Sequence, residues 1–117
     1  MHNYKELKVW QKSIELATLI YQLANQFPKE EKFRLMSQIL RAVVSISSNF
    51  AEGAGRNSES EFNQFLGYAR GSSFELETQI IIANKLAYLS TEELLKAQTL
   101  TNEIQKMLYG LKASINS

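Results

Sequence analysis

The chain has no cysteine and no aspartate, and its one histidine is His2. Without thiols there is no disulfide framework, no thiolate metal site and no cysteine nucleophile. A single histidine excludes the paired Glu-x-x-His motifs that hold two metals inside helical bundles. Acid chemistry falls to glutamate alone. Glu75 and Glu77 are two residues apart, so on a helix they point to different faces, and Glu52 with Arg56 makes a local ion pair. No acid, base, nucleophile or metal set can be assembled. The expectation is no enzyme, with no catalytic residue, cofactor or metal ion. Long apolar runs are missing too. The longest include "III" at 80–82, far short of a membrane span. The opening "MHNYKELKVW" lacks the apolar stretch of a secretory signal. Together these features predict a cytoplasmic protein with no membrane partner. Charge of one sign is also lacking, for the formal net charge is +1, which by itself does not favour nucleic acid.

One proline and five glycines leave little punctuation. Pro28 is the first break; it can start a helix, with Glu30 and Glu31 favourable near the positive end. "AEGAGRNS" is the second, with Gly53, Gly55 and Asn57 able to leave helical geometry. "YLSTEE" is the third. Ser90 with Glu93 and Ser58 with Glu61 both read as capping boxes. Between the breaks apolar residues recur at three and four. The first segment offers Leu7, Trp10, Ile14, Ala17, Tyr21 and Ala24. The second offers Met36, Ile39, Val43, Ile46, Phe50 and Ala54. The third has Phe62, Leu66, Ala69, Ser73, Leu76, Ile80, Ala83 and Ala87. The fourth has Leu94, Ala97, Thr101, Ile104, Leu108, Leu111 and Ile115. Short connections make successive helices antiparallel. The expected fold is all-α, an up-down-up-down four-helix bundle forming one domain over residues 1–117. Val9, Leu16 and Leu23 form a second apolar row on the first helix, and Gly67, Phe74, Ile81 and Tyr88 another on the third. Such rows mean either a wide core or a surface for self-association.

The stretch "SISSNFAEGAGR" puts polar residues where a bundle wants leucine. Arg41, Ser45, Ser48, Asn49, Glu52 and Arg56 share one helical ridge. Antiparallel pairing sets this ridge against Ala69, Gly71, Ser72 and Ser73, and sets Arg41 beside Glu75 or Glu77. The expectation is a close seam of small residues, with Ser45 and Ser48 buried and a charge pair fixing the register. The glycine pair follows a helix and lacks a Gly-Lys-Ser or Gly-Lys-Thr sequence, so it matches a phosphate loop poorly.

"FPKEEKFRLMSQILRAVVSISSNFAEGAGR", followed by "FLGYARGSSFELETQIIIANKLAYL", closely resembles the bacterial 23S rRNA intervening-sequence protein family, also called four helix bundle proteins. The most specific pieces place Gln38, Arg41, Ala42, Ser45, Asn49, Glu52, Gly53, Gly55 and Arg56 in one motif, and Gly71, Ser72 and Glu75 in another. The resemblance implies that these are signatures of the fold with no assigned chemistry. It implies four-helix subunits that assemble into a ring, typically a homopentamer. A related branch, the accessory variability proteins of diversity-generating retroelements, is a strongly basic pentameric barrel that binds nucleic acid and a reverse transcriptase. This chain is nearly neutral.

Two functional classes stay open. One is nucleic-acid binding, RNA or DNA, through Lys5, Lys8 and Lys12 on one face of the first helix. Arg56 is brought to the same end by the chain reversal, near Lys106 and Lys112. A ring would repeat that patch in every subunit. The opposing reading is a solvated face offset by Glu6, Glu59, Glu61 and Glu103. The other class is a structural scaffold or protein-partner module, with Phe33, Tyr68, Phe74 or Tyr88 as anchors.

Overall fold

A computed structural model describes residues 3–116, the side chain of residue 116 excepted; His2 lies outside them. Four helices follow in order: α1 (Lys8–Ala24), α2 (Leu35–Ala54), α3 (Glu59–Lys85) and α4 (Thr91–Asn116). Helix α1 lies beside α2 and α4, and α3 lies beside the same two. The result is the expected all-α antiparallel four-helix bundle. Its long dimension is 43 Å, close to the ~40 Å that the 27-residue α3 spans at the α-helical rise. No helix among the described residues is long and apolar enough to cross a membrane.

On α2, α3 and α4 the buried rows match the periodicity. Ile39, Val43, Ile46, Phe50 and Ala54 meet Phe62, Leu66, Leu76 and Ile80, with Ala97, Ile104 and Leu108 behind them. Phe50 and Phe62 meet edge to face, ring centres 5.9 Å apart. Burial of each such large side chain is worth about 1.5–3 kcal/mol.

Helix α1 departs from its expected phase. Its core face is Val9, Ser13, Leu16, Ile20 and Ala24, whereas Ile14 and Tyr21 are exposed. Val9 and Leu16, read as a second row, belong to the primary core. The reason is Ser13. Its hydroxyl donates to the Val9 carbonyl at 2.7 Å, so a serine sits fully buried in what looks like a polar gap. Thr101 is buried in the same way, its hydroxyl on the Ala97 carbonyl at 2.7 Å.

The helix ends follow local chemistry. Pro28 opens a short 3-10 turn, Lys29–Glu31, and not α2 itself. Helix α2 begins at Leu35, whose N–H donates to the Glu31 carboxylate at 3.1 Å. Ser58 caps α3 by accepting the Glu61 N–H at 3.2 Å. Ser90 caps α4 reciprocally: it accepts the Glu93 N–H at 3.1 Å, and its own N–H donates to the Glu93 carboxylate at 2.9 Å. Helix α3 closes on Ala87, which adopts a left-handed φ of 65°. The Tyr88 N–H donates to the Ala83 carbonyl and the Ala87 N–H to the Asn84 carbonyl, both at 2.9 Å, a Schellman ending. Ala87 is therefore exposed and outside the core row.

Candidate functional site

The polar ridge of α2 stays helical through its own backbone. The Ser45 hydroxyl donates to the Arg41 carbonyl at 2.8 Å, and the Asn49 side-chain amide donates to the Ser45 carbonyl at 2.8 Å. Serine and asparagine thereby satisfy themselves locally and need no partner from α3. Ser45 and Asn49 are half-buried, whereas Ser48, Arg41 and Glu52 are exposed. The expected burial of Ser48 is not found. Arg41 makes no ion pair with Glu75 or Glu77; Glu77 instead accepts from the side-chain amides of Gln105 at 3.1 Å and Gln98 at 3.4 Å. Glu75 lines an open groove with Asn49, Tyr68, Gly71 and Ser72.

The close approach of α2 and α3 lies one step along, at Gly53. This residue is buried within α2 and does not end the helix. A Cβ added there would lie 2.5 Å from Phe65 Cβ. Gly71, in contrast, has open space around it. The close approach of the two helices is thus at Gly53 and Phe65, beyond the serine run, and not at the expected seam of Ser45 and Ser48 against Ala69, Gly71, Ser72 and Ser73.

The proposed basic end is brought together only in part. The starts of α1 and α3 and the ends of α2 and α4 share one end of the bundle. Lys5 and Lys8 are exposed there. Lys12 is paired with Glu103 of α4 at 2.8 Å, and the hydrogen bond it donates to this carboxylate holds the ammonium pKa above its ordinary value. Arg56 reaches Glu52 at 2.8 Å and Glu61 at 3.7 Å, and lies over the Phe65 ring at 4.9 Å. Two of the four cations thus already face carboxylates. Lys112 donates to the Asn63 side-chain oxygen at 3.1 Å.

Of the four aromatic anchors, Phe33, Tyr68 and Phe74 are exposed. Tyr88 is engaged: its ring packs on Phe27 with centres 5.3 Å apart, and its hydroxyl donates to Glu31 at 2.9 Å. Sequence reasoning missed a second aromatic feature. Arg70 of α3 lies over Phe74 at 5.3 Å and over Tyr109 of α4 at 4.9 Å. Arg70 and Phe74 are four apart on α3, but only the antiparallel register of α3 on α4 could have linked them to Tyr109. No group of three or more metal-ligating side chains occurs among the described residues. The two carboxylates with perturbed pKa values, Glu31 and Glu93, are both lowered. For Glu31 the cause is first the Leu35 N–H and then Tyr88; for Glu93 it is first the Ser90 N–H and then Gln26. Both shifts move away from proton transfer near neutral pH.

Comparison with known proteins places this geometry in a family. A crystal structure from Bacteroides thetaiotaomicron, described as a protein of unknown function from the S23 ribosomal protein family, superposes with a TM-score of 0.83 at 27% identity, over 89% of this chain and 97% of that one. No curated protein matches the sequence. The family profile described as 23S rRNA-intervening sequence protein matches residues 5–110, so the chain belongs to the 23S rRNA-intervening sequence protein family.

Proposed function

We propose that the protein works by association and not by catalysis, as a self-assembling four-helix module that forms a homo-oligomeric ring. The observation that carries this reading is the apolar strip on α1. Ile14 is 39% exposed and Tyr21 49%, with Ala17 between them, and Val44 is 40% exposed on the neighbouring α2. Ile14, Tyr21 and Val44 lie outside the bundle core and its packed margin, so their apolar surface is left for a partner. The fivefold number comes from the family resemblance alone. Light scattering at micromolar concentration should report about five times the chain mass, and Tyr21→Glu should return the monomer. A monomeric wild-type protein would overturn the reading.

A second reading has its own observation. Lys5 and Lys8 are exposed at one end and, among the described residues, have no ion-pair partner. Repeated around a ring, they would form a cationic rim for the phosphates of RNA or DNA. Fluorescence polarisation with a short RNA at low salt tests this. Binding should weaken steeply with added salt and on Lys5→Glu with Lys8→Glu.

A further inference from the structure

The face formed by α3 and α4 carries a cluster that neither the α1 strip nor the basic end uses. Arg70 is packed against two rings, Phe74 and Tyr109. Its Nε is buried and makes no hydrogen bond. No carboxylate lies within ion-pair distance of Arg70 among the described residues. Lys106, one turn before Tyr109, is exposed and equally unpaired. Together with Asn102 and Gln105 these residues line one open cleft. Both rings keep exposed surface, 45% for Phe74 and 59% for Tyr109.

Lys12 and Arg56 sit against glutamates, and Lys5 and Lys8 stand unpaired, among the described residues, at the end of the bundle. The cleft differs in setting two cations without an ion-pair partner beside two exposed aromatic rings. The carboxylate close to it along α3, Glu77, is occupied by the amides of Gln98 and Gln105. That bond uses the amide hydrogens of Gln105 and leaves its carbonyl oxygen as an acceptor. A guanidinium flanked by rings loses water from its faces, and with Nε buried it keeps its two terminal Nη groups for a ligand. Those groups match two oxygens of a phosphate, and the planar guanidinium is held in place before any ligand arrives. Lys106 adds a second positive charge. Exposed aromatic surface beside paired cations is the arrangement on which a base stacks while its phosphate is neutralised. Asn102 and the Gln105 oxygen add groups able to meet a base edge.

We infer that the α3–α4 cleft binds a nucleoside phosphate, with the phosphate on Arg70 and Lys106 and the base stacked on Tyr109. The ligand is a free nucleotide or one unit of a single strand. This goes beyond self-association and uses none of Lys5, Lys8, Lys12 and Arg56, although the sequence-based expectation sets Lys106 beside them.

The test uses the full chain and two probes: a fluorescein-labelled oligouridylate by polarisation, and uridine monophosphate by calorimetry. Saturable binding of both identifies a free-nucleotide site; binding of the oligomer alone identifies a strand site. In either case Tyr109→Ala should weaken binding about tenfold. Lys106→Glu should weaken it and flatten its salt dependence. Arg70→Lys, which keeps charge but loses the planar fork, should weaken it as well. Tyr109 and Lys106 are exposed, so circular dichroism should show these variants folded. Binding lost on Lys5→Glu with Lys8→Glu but indifferent to Tyr109 and Lys106 would overturn the cleft while leaving the basic end standing. No binding of either probe, or a change of oligomer mass in the Tyr109 and Lys106 variants with binding intact, would also overturn it.

Discussion

The Tyr88 hydroxyl donates to the Glu31 carboxylate at 2.9 Å, joining two connections that lie 57 residues apart. Beside it, the Gln26 side-chain amide donates to the Tyr88 carbonyl at 3.2 Å and to Glu93 at 2.7 Å. The α1–α2 and α3–α4 joints are thereby tied at the end of the bundle away from the basic patch. The same Glu31 carboxylate caps α2 through the Leu35 N–H, so one side chain sets a helix start and fastens it to the opposite hairpin.

That relationship predicts a pH dependence with a definite sign. The Leu35 N–H, then Tyr88, lower the Glu31 pKa in the folded state. Its stabilisation is therefore complete above the unfolded value and is lost as pH falls through the folded one. Glu93 acts in the same direction. For Tyr88 the hydrogen bond to Glu31 raises the pKa, so its contribution is complete below the unfolded value and fades as pH rises through the folded one. Thermal melts across the acid range should show wild-type stability falling and Glu31→Gln falling less. Identical acid slopes for the two proteins would contradict this account.

Gly53 gives a prediction of packing. An added methyl would meet Phe65 Cβ at 2.5 Å and Phe62 Cδ1 at 3.1 Å. The first contact is with an atom next to the backbone, so α2 and α3 must separate. Alanine gains up to about 1 kcal/mol of helix propensity over glycine, but overpacking costs about 1–3 kcal/mol. Gly53→Ala should be net destabilising in denaturant unfolding, whereas Gly71→Ala, in open space, should be stabilising by up to about 1 kcal/mol.

The helices were legible because their signals are local. Ser58 with Glu61 and Ser90 with Glu93 sit three apart, and the core rows of α2, α3 and α4 repeat within a few turns. Helix α1 misled because Ser13 is buried in the core row, while Ile14 and Tyr21 supply a more apolar row that faces outward. The serine ridge misled in the opposite way. Hydrogen bonds within α2 satisfy Ser45 and Asn49, so the polar run demanded no buried partner. Arg70 against Tyr109, and Glu31 against Tyr88, depend on how separate helices settle along one another. Periodicity within a helix carries no information on that offset.

Ala87 offers a stabilising change. It holds a left-handed φ of 65° at the end of α3, where glycine is the usual residue. A side chain in that region costs roughly 1–2 kcal/mol. Ala87 is exposed, so no packing is lost on removing its methyl. Ala87→Gly should raise stability by about 0.5–1 kcal/mol, after the greater unfolded-state entropy of glycine is set against the relieved strain. A lower unfolding midpoint would mean the Schellman ending is not strained by alanine.

The Lys12–Glu103 pair calls for a charge swap. Lys12 of α1 and Glu103 of α4 lie 2.8 Å apart, and the α1–α4 contact is the least extensive of the four neighbouring pairs. Lys12→Glu would set two carboxylates against each other across this contact, and Glu103→Lys two ammonium groups. Each single variant should melt below wild type, by an amount that shrinks with added salt as the repulsion is screened. The double variant should recover most of the loss. The swap also decides how the basic end must be tested. Glutamate at position 12 weakens the bundle as well as removing a cation, so reduced nucleic-acid binding in a Lys5, Lys8 and Lys12 triple variant would mix two effects. Replacing only Lys5 and Lys8, which have no such partner, separates them. If Lys12→Glu melts as wild type at low salt, the pair contributes nothing, and the triple variant becomes a clean probe of the basic end.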